Sequence, residues 1–410
     1  MPDGALSHIR ICDLSGQLAG AGATRWLAAF GAQVIRVEDP VRRGRWDRLR
    51  GAPPHISSDR DIESGGPFSN HNVEKLGITL NLREDKGKEL FAKLVSVSDV
   101  VVENFAAGVL TRMGFPYERL CELRPDIIYA SSSGFGQSGP YVNFKTWGPI
   151  VQALCGLTDS SGLPGQPPAG LGFSYMDHHG ANLLVVGILS ALIHRELTGE
   201  GQWIDMATTE AGAALIGPKF IEHSVNGPAG TRTESSNRAS KIPMAPHNIY
   251  ACAGDDQWVA IACRDDMDWH ALRSVIDEDW ARDPDLEKVA GRLVDQDALD
   301  QRLSIWTATR EKMATASVLV AAGVPAAPVA SPQERIDQDG FGASWGLWPT
   351  VEHSVAGPVR VDGLPVHLSR TDWLMERGAP LLGEHNALVY GDLLGLSPDE
   401  QAELAAAGVL

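Results

Sequence analysis

Asp177 is the residue of this sequence best placed to do covalent chemistry. It closes the run Ser174-Tyr-Met-Asp177, after a Pro/Gly-rich loop over 162–172. It stands directly ahead of a segment in which Leu183, Leu184, Val186, Ile188, Leu189 and Leu192 occupy almost every side, a pattern that predicts a buried helix. An Asp at that junction is a favoured helix N-cap. The helix dipole and the free N–H groups there hold a carboxylate ionised. An ionised carboxylate is also a nucleophile toward an activated acyl group. Two further stretches carry chemical potential. The small-residue loop Ser131-Ser-Ser-Gly-Phe-Gly-Gln-Ser-Gly139 exposes backbone N–H groups suited to an anion or oxyanion, or forms an ordinary turn. Arg42, Arg43, Arg45, Arg48 and Arg50 crowd one stretch with only Asp47 against them, which reads as phosphate recognition or as a solvated loop.

The elements that must position these residues alternate between strand and helix. Residues 8–38 read as a βαβ unit: Ile9, Ile11 and Leu14 on a strand, a glycine-rich turn over 16–22, a helix from Ala23 to Phe30, and a strand from Gln33 to Glu38. That outline invites a dinucleotide site, but Gly20-Ala-Gly22-Ala-Thr-Arg25 puts Arg25 where the third glycine belongs, so NAD is not expected. From Lys75 to Phe135 the alternation continues, with a helix over 83–97 and strands over 78–82, 99–103 and 126–130. Asn104 and Phe105 then fall at a strand's carboxyl end, where open α/β sheets bind ligands. Residues 222–242, rich in Gly, Ser, Asn and Thr, read as a linker. A hairpin over 247–263 opens a second domain. Ala322-Gly-Val-Pro-Ala-Ala-Pro-Val329 reads as an edge strand, because its prolines cannot sit in a central ladder.

A chain of 410 residues is too long for one simple core, and 43% apolar residues is normal for a globular protein. The formal net charge of −17 disfavours nucleic acid as a partner. No run of about 20 apolar residues lacks a polar interruption, so no membrane span is expected. The N-terminus lacks a signal-peptide pattern. The five cysteines form no CxxC pair and no Cys/His cluster has metal spacing. Reduced thiols, no metal and a cytoplasmic location are the expectation.

The chain resembles the class III coenzyme A transferases, the group that includes formyl-CoA transferase and carnitine CoA-transferase. The resemblance runs nearly end to end. It is carried by Asp13-Leu with Ala19-Gly20, Val34-Ile-Arg-Val-Glu38, Lys75 before Ile78-Thr-Leu, Glu103-Asn-Phe with Gly108, and Arg112-Met-Gly114. It continues through Ser133-Gly-Phe-Gly-Gln-Ser-Gly-Pro140, Gln152-Ala-Leu-Cys-Gly156, Tyr175-Met-Asp177 with Gly180, Ala191-Leu-Ile-His-Arg195, Thr198-Gly-Glu-Gly-Gln202 and Leu382-Gly-Glu-His-Asn386.

That resemblance implies an α/β fold: a Rossmann-like large domain plus a smaller α+β domain, in an interlocked homodimer. The expected division is 1–221 for the large domain with the Asp, 222–245 for the linker, 246–335 for the small domain and 336–410 for a return segment. Asp177 matches the family's catalytic aspartate, which exchanges CoA between an acyl-CoA donor and a carboxylate acceptor through an aspartyl-acyl anhydride and an aspartyl-CoA thioester. Leu18, Ala19, Lys75, Asn104, Phe105, Arg112 and Met113 match positions near CoA, with Lys75 and Arg112 on phosphates. Gly134, Phe135, Gly136, Gln137 and Trp147 are the acyl-pocket and oxyanion candidates, and the aromatic walls suit a larger or less polar acid. Coenzyme A enters as substrate and product. Asp39 follows Glu38 where family members often carry a base, so the Arg42–Arg50 stretch is the expected substitute. The glycine-run loop of formyl-CoA transferase has no clear counterpart in 222–242. The competing reading within the same fold family is an α-methylacyl-CoA racemase using a His and an Asp. Its His belongs just ahead of Gln152, where Trp147-Gly148 stand.

Overall fold

Short runs of β-branched residues build the central sheet, because such side chains pack well on a pleated surface buried on both faces. In the computed structural model, which describes residues 4–227, 236–239 and 242–410, these runs are β1 (Arg10–Asp13), β2 (Gln33–Glu38), β3 (Leu76–Thr79), β4 (Val100–Glu103), β5 (Ile128–Ser133) and β6 (Trp203–Ala207). All pair in parallel, in the order β3-β2-β1-β4-β5-β6. Cys12 lies opposite both Ile35 and Val101, so β1 and β4 flank the point where the strand order reverses. The helices between them are α1 (Ala19–Ala29), α2 (Gly66–His71), α3 (Asp85–Ser96), α4 (Val109–Arg112), α5 (Tyr117–Leu123), α6 (Gly148–Leu154), α7 (Tyr175–Thr198) and α8 (Thr208–Leu215).

Strand alternation splits the core into two layers. Cys12, Ile35, Ile78 and Val101 pack with Leu90, Phe91 and Leu94 of α3. Ile11, Val34, Val102 and Ala130 pack with Leu27 of α1 and with Ala181, Leu184 and Ile188 of α7. Helix α7 is long and apolar enough to cross a bilayer by length and composition alone. Counting polar interruptions along the sequence does not single it out. One face of α7 lies on α1 and the sheet, while Val186, Ile193 and Leu197 on another are 58%, 63% and 79% exposed.

Two compact units divide the chain. The first holds residues 1–158, 170–217 and 341–410; the second holds 159–169 and 218–340. The linker expected over 222–245 therefore begins inside α9 (Gly217–Asn226), and residues 228–235, 240 and 241 of that stretch lie outside the described residues. In the second unit β7 (His247–Ala251), β8 (Trp258–Ala262) and β9 (Ala326–Pro328) form an antiparallel sheet, with β9 at the edge its prolines require. Around it stand α10 (Asp266–Ile276), α11 (Val289–Val294), α12 (Gln296–Thr307) and α13 (Lys312–Ala321), sharing a core of Tyr250, Trp269, Leu303 and Leu319.

The chain then passes through α14 (Gly340–Ser344), the antiparallel pair β10 (Thr350–His353) and β11 (Gly357–Arg360), a π-helical turn over Ala387–Leu393 and α15 (Pro398–Ala406). In the first unit this returning segment seals the β3 edge. Asn386 Oδ1 accepts from the Thr79 N–H at 2.9 Å, His385 Nδ1 accepts from the Gly77 N–H at 3.1 Å, and the Tyr390 hydroxyl donates to the Thr79 carbonyl at 2.7 Å. The Asn81 N–H donates to the Val409 carbonyl at 2.7 Å.

Candidate active site

Loops leaving β1, β4 and β5 meet at the carboxyl edge of the sheet around a cavity of about 330 Å³. The first contributes Gln17, Leu18 and Ala19, the second Asn104 to Ala107, the third Ser132 to Phe135. Val142, Phe144, Lys145, Thr146 and Trp147 form a wall; Arg48, Val151, Thr208 and Asp177 complete the lining. The position, where the strand order reverses, is the one open α/β sheets use for ligands.

Hydrogen bonds, most of them partly buried, hold the loops. Asn104 clamps the β1 loop, accepting from the Gly16 N–H at 2.8 Å and donating to the Gly16 carbonyl at 2.9 Å. Gly16 admits no side chain, since a Cβ there would lie 2.5 Å from the Trp46 ring. Trp46 in turn packs on Phe105, with ring centroids 5.7 Å apart. Gln17 follows with φ of 55°, a left-handed conformation that costs a non-glycine residue energy. The β5 loop is tied to α8, where Thr209 donates to the Gly134 carbonyl from its N–H at 3.0 Å and its hydroxyl at 2.7 Å. Glu103 sits beneath the β4 loop, accepting from the Phe105 N–H at 2.6 Å and the Tyr129 hydroxyl at 2.9 Å. Burial pushes its carboxyl up to about 7, against the pull of those two donors.

Asp177 is the one carboxylate lining this cavity among the described residues. It is not the helix cap: Ser174 occupies the N-cap position of α7 and Asp177 lies in its first turn. The expectation of a firmly ionised carboxylate is also corrected. Burial outweighs the hydroxyl of Ser174 and pushes Asp177 up to about 6. Gly148 makes room for it, because a Cβ there would stand 2.8 Å from Asp177 Oδ2 and 2.8 Å from Ser174 Cβ. The Trp147-Gly148 pair, where a racemase histidine would belong, thus houses the carboxylate itself.

Leu18, Ala19, Asn104, Phe105, Gly134, Phe135 and Trp147 all line the cavity. Arg112 is exposed beside it, donating to the Ala107 carbonyl at 3.2 Å. Lys75 is a correction. Its ammonium is fully buried and spends its three protons inside the protein, on Asp13 at 3.1 Å, the Ala21 carbonyl at 2.9 Å and Asn72 at 3.0 Å. Burial also lowers its pKa to about 8, so it serves the fold rather than a phosphate. Met113 packs on the core beside α3 and α5 instead of lining the cavity. Gly136 and Gln137 are absent from the lining. The Gln137 N–H is held by both Asp205 carboxylate oxygens at 3.0 Å, and its Oε1 accepts from the Gly108 N–H at 2.9 Å, so these two groups brace two loops, while its buried Nε2 has no protein partner among the described residues.

The arginine stretch divides. Arg50 is buried against Glu38 at 2.6 Å and also bonds Glu63, while Asp47 is taken by Arg36 at 2.7 Å. Glu38, the strand-end acid that a dinucleotide ribose would need, is thereby occupied. Arg48 alone of the stretch reaches the cavity, its guanidinium over the Trp147 ring at 5.0 Å. Sequence reasoning does not single out Gln17, Phe144 or Lys145, and reaches Ser132 only as part of the loop 131–139. Ser132 is identifiable afterwards by alternation: Ile128 and Ala130 face α1 and α7, and Ser132 continues that face to the cavity. Its buried hydroxyl has no protein partner, whereas those of Ser131 and Ser133 are spent on Ile204 and Gly136.

The site is thus that of an α/β fold with a parallel sheet, one carboxylate in its crevice and its strand-end acid already paired. Residues 6–386 match the model of CoA-transferase family III, and the chain belongs to that family. It is 32% identical over 421 aligned residues to a formyl-CoA:oxalate CoA-transferase of Streptomyces coelicolor, covering 99% of each chain. It is 31% identical over 411 residues to a succinyl-CoA–D-citramalate CoA-transferase of Chloroflexus aurantiacus, covering 100% of this chain and 99% of that one. Among solved structures, a CAIB/BAIF family protein from Brucella suis superposes with a TM-score of 0.86 at 28% identity, covering 95% of this chain and 100% of that one. The protein is a CoA-transferase.

Proposed function

We propose that the protein moves CoA from an acyl-CoA to a free carboxylic acid through Asp177. The observation that carries this reading is that Asp177 is the one carboxylate lining the cavity among the described residues. Its carboxylate attacks the donor thioester carbonyl, the C–S bond breaks, and an aspartyl-acyl anhydride and CoA thiolate result. The thiolate attacks the aspartyl carbonyl, expels the donor acid and leaves an aspartyl-CoA thioester. The acceptor carboxylate attacks that thioester, and the released thiolate takes the acceptor acyl group from the new anhydride, restoring Asp177. Val142, Phe144 and Trp147 form the apolar side of the cavity in which these intermediates would stand. Leu18, Ala19, Asn104 and Phe105 hold the CoA arm, and Arg112 meets its phosphates.

The racemase reading finds no support in the cavity, since no histidine lines it among the described residues. His178 faces His71 with ring centroids 5.6 Å apart, and His179 Nε2 is 3.2 Å from the Ala211 carbonyl. We further propose a homodimer of interlocked chains, with the exposed apolar face of α7 as part of the contact, and the large and small domains drawn above as its parts. Five free thiols favour a reducing, cytoplasmic setting.

Incubation with acyl-CoA followed by hydroxylamine trapping and peptide mass spectrometry tests the reading. The expected result is a hydroxamate on the Asp177 peptide, absent from Asp177→Ala, which also loses transfer. Full transfer by Asp177→Ala would sink it.

A further inference from the structure

The cavity has a charge balance that the exchange at Asp177 does not use. Beside that single carboxylate it is lined by two cations, Arg48 and Lys145. Arg48 has no carboxylate partner among the described residues, although its neighbours Asp47 and Arg50 are both paired. Arg42, Arg43, Arg45 and Arg112 likewise lack a carboxylate partner among the described residues, but among these exposed arginines only Arg48 lines the cavity. Arg48 is also positioned: its guanidinium rests over the Trp147 ring at 5.0 Å, and Trp147 lines the same cavity immediately before Gly148, the residue packed on Asp177. A ring face beneath a guanidinium fixes its plane and leaves its N–H edge free for a bidentate acceptor.

We propose that Arg48 is a specificity-determining residue that binds a second carboxylate on the acyl group, so that the enzyme's substrates are dicarboxylic acids and their mono-CoA thioesters. This rests on the transferase reading above: one carboxyl end of the acid exchanges at Asp177 while the other is held as a carboxylate by Arg48. It replaces the expectation that the aromatic walls select a less polar acid. Trp147 and Phe144 flank the carbon chain, and the end of the chain meets a cation.

The same anion chemistry could come from a CoA phosphate, and matched thioesters separate the two sources. The measurement is kcat/KM for succinyl-CoA against butyryl-CoA, and for glutaryl-CoA against valeryl-CoA, in the parent, Arg48→Gln and Arg48→Lys. Each pair has one chain length and one CoA and differs only in the distal carboxylate. The parent should prefer the dicarboxyl member of at least one pair by about tenfold or more, Arg48→Gln should lose that preference, and Arg48→Lys should keep part of it. A parent without preference overturns the proposal. So does an Arg48→Gln ratio equal to the parent's, whether the two rates fall together, as for a phosphate contact, or stay put. Absence of transfer from all four thioesters, with no Asp177 adduct, overturns the transferase reading itself and this proposal with it.

Discussion

The exchange proposed at Asp177 puts two opposed demands on one carboxylate. Desolvation strengthens it as a nucleophile by stripping water, and the same desolvation raises its pKa to about 6. The nucleophile is the charged form, so kcat/KM should fall on the acid side with an apparent pKa near 6, which a rate profile from pH 5 to 8 reads directly. Stability carries the opposite signature. The folded pKa lies above the usual unfolded value of about 3.9, so the folded state holds more protons between the two. The fold is therefore most stable with respect to this group below the unfolded pKa and loses that stability as pH rises through about 6. Asp177→Asn should be more stable than the parent at pH 8, on the order of 2 kcal/mol, with the difference shrinking toward pH 4. Equal stability of the two at pH 8 would mean that Asp177 is not desolvated.

The elements around the site are locked by ion pairs rather than by apolar contact alone. Arg36 of β2 bonds Asp47, and Arg50 bonds Glu38, with all four side chains fully buried. Removing one partner of such a pair strands a charge without solvent. Arg50→Ala should therefore cost about 3–5 kcal/mol in chemical denaturation, while Arg112→Ala, exposed, should cost less than about 0.5 kcal/mol. A small effect at Arg50 would show that water reaches the pair. These pairs also explain what the sequence could and could not reveal. Strand and helix periodicity located β1 to β5 of the parallel sheet and the junction before Asp177, because those patterns are local. Which arginine of the stretch 42–50 would be spent on the fold depends on Glu38 and Glu63, and Lys75 depends on Asp13, 62 residues away. No spacing rule reaches so far. The backbone N–H of Gln137 is hidden from the sequence for the same reason: a glycine-rich loop reads as open backbone until Asp205 is folded onto it.

For the whole molecule, the exposed apolar row of α7 is the strongest sign of a second chain. Leu183, Val186, Ile193 and Leu197 recur at spacings that keep one helical face, and all are exposed. Light scattering should give the mass of two chains at micromolar concentration, and Val186→Glu with Ile193→Glu should abolish that assembly. A single chain in the parent protein would end the homodimer reading. The resemblance of the sequence to its family supplied the expectation of interlocking; nothing in the periodicity of this chain could, because threading is a property of connections and not of faces.

The seal on β3 has a consequence for synthesis. The strand leaves the ribosome early, yet its hydrogen-bond partners at 385–390, and Gly408, which accepts from Asn81 across 327 residues, come last. At roughly 5–20 residues per second the nascent sheet waits roughly 20–60 s with that edge bare. An open parallel edge is a template for foreign strands. Translation that stalls after the second unit would release a chain whose sheet is built but unsealed at that edge.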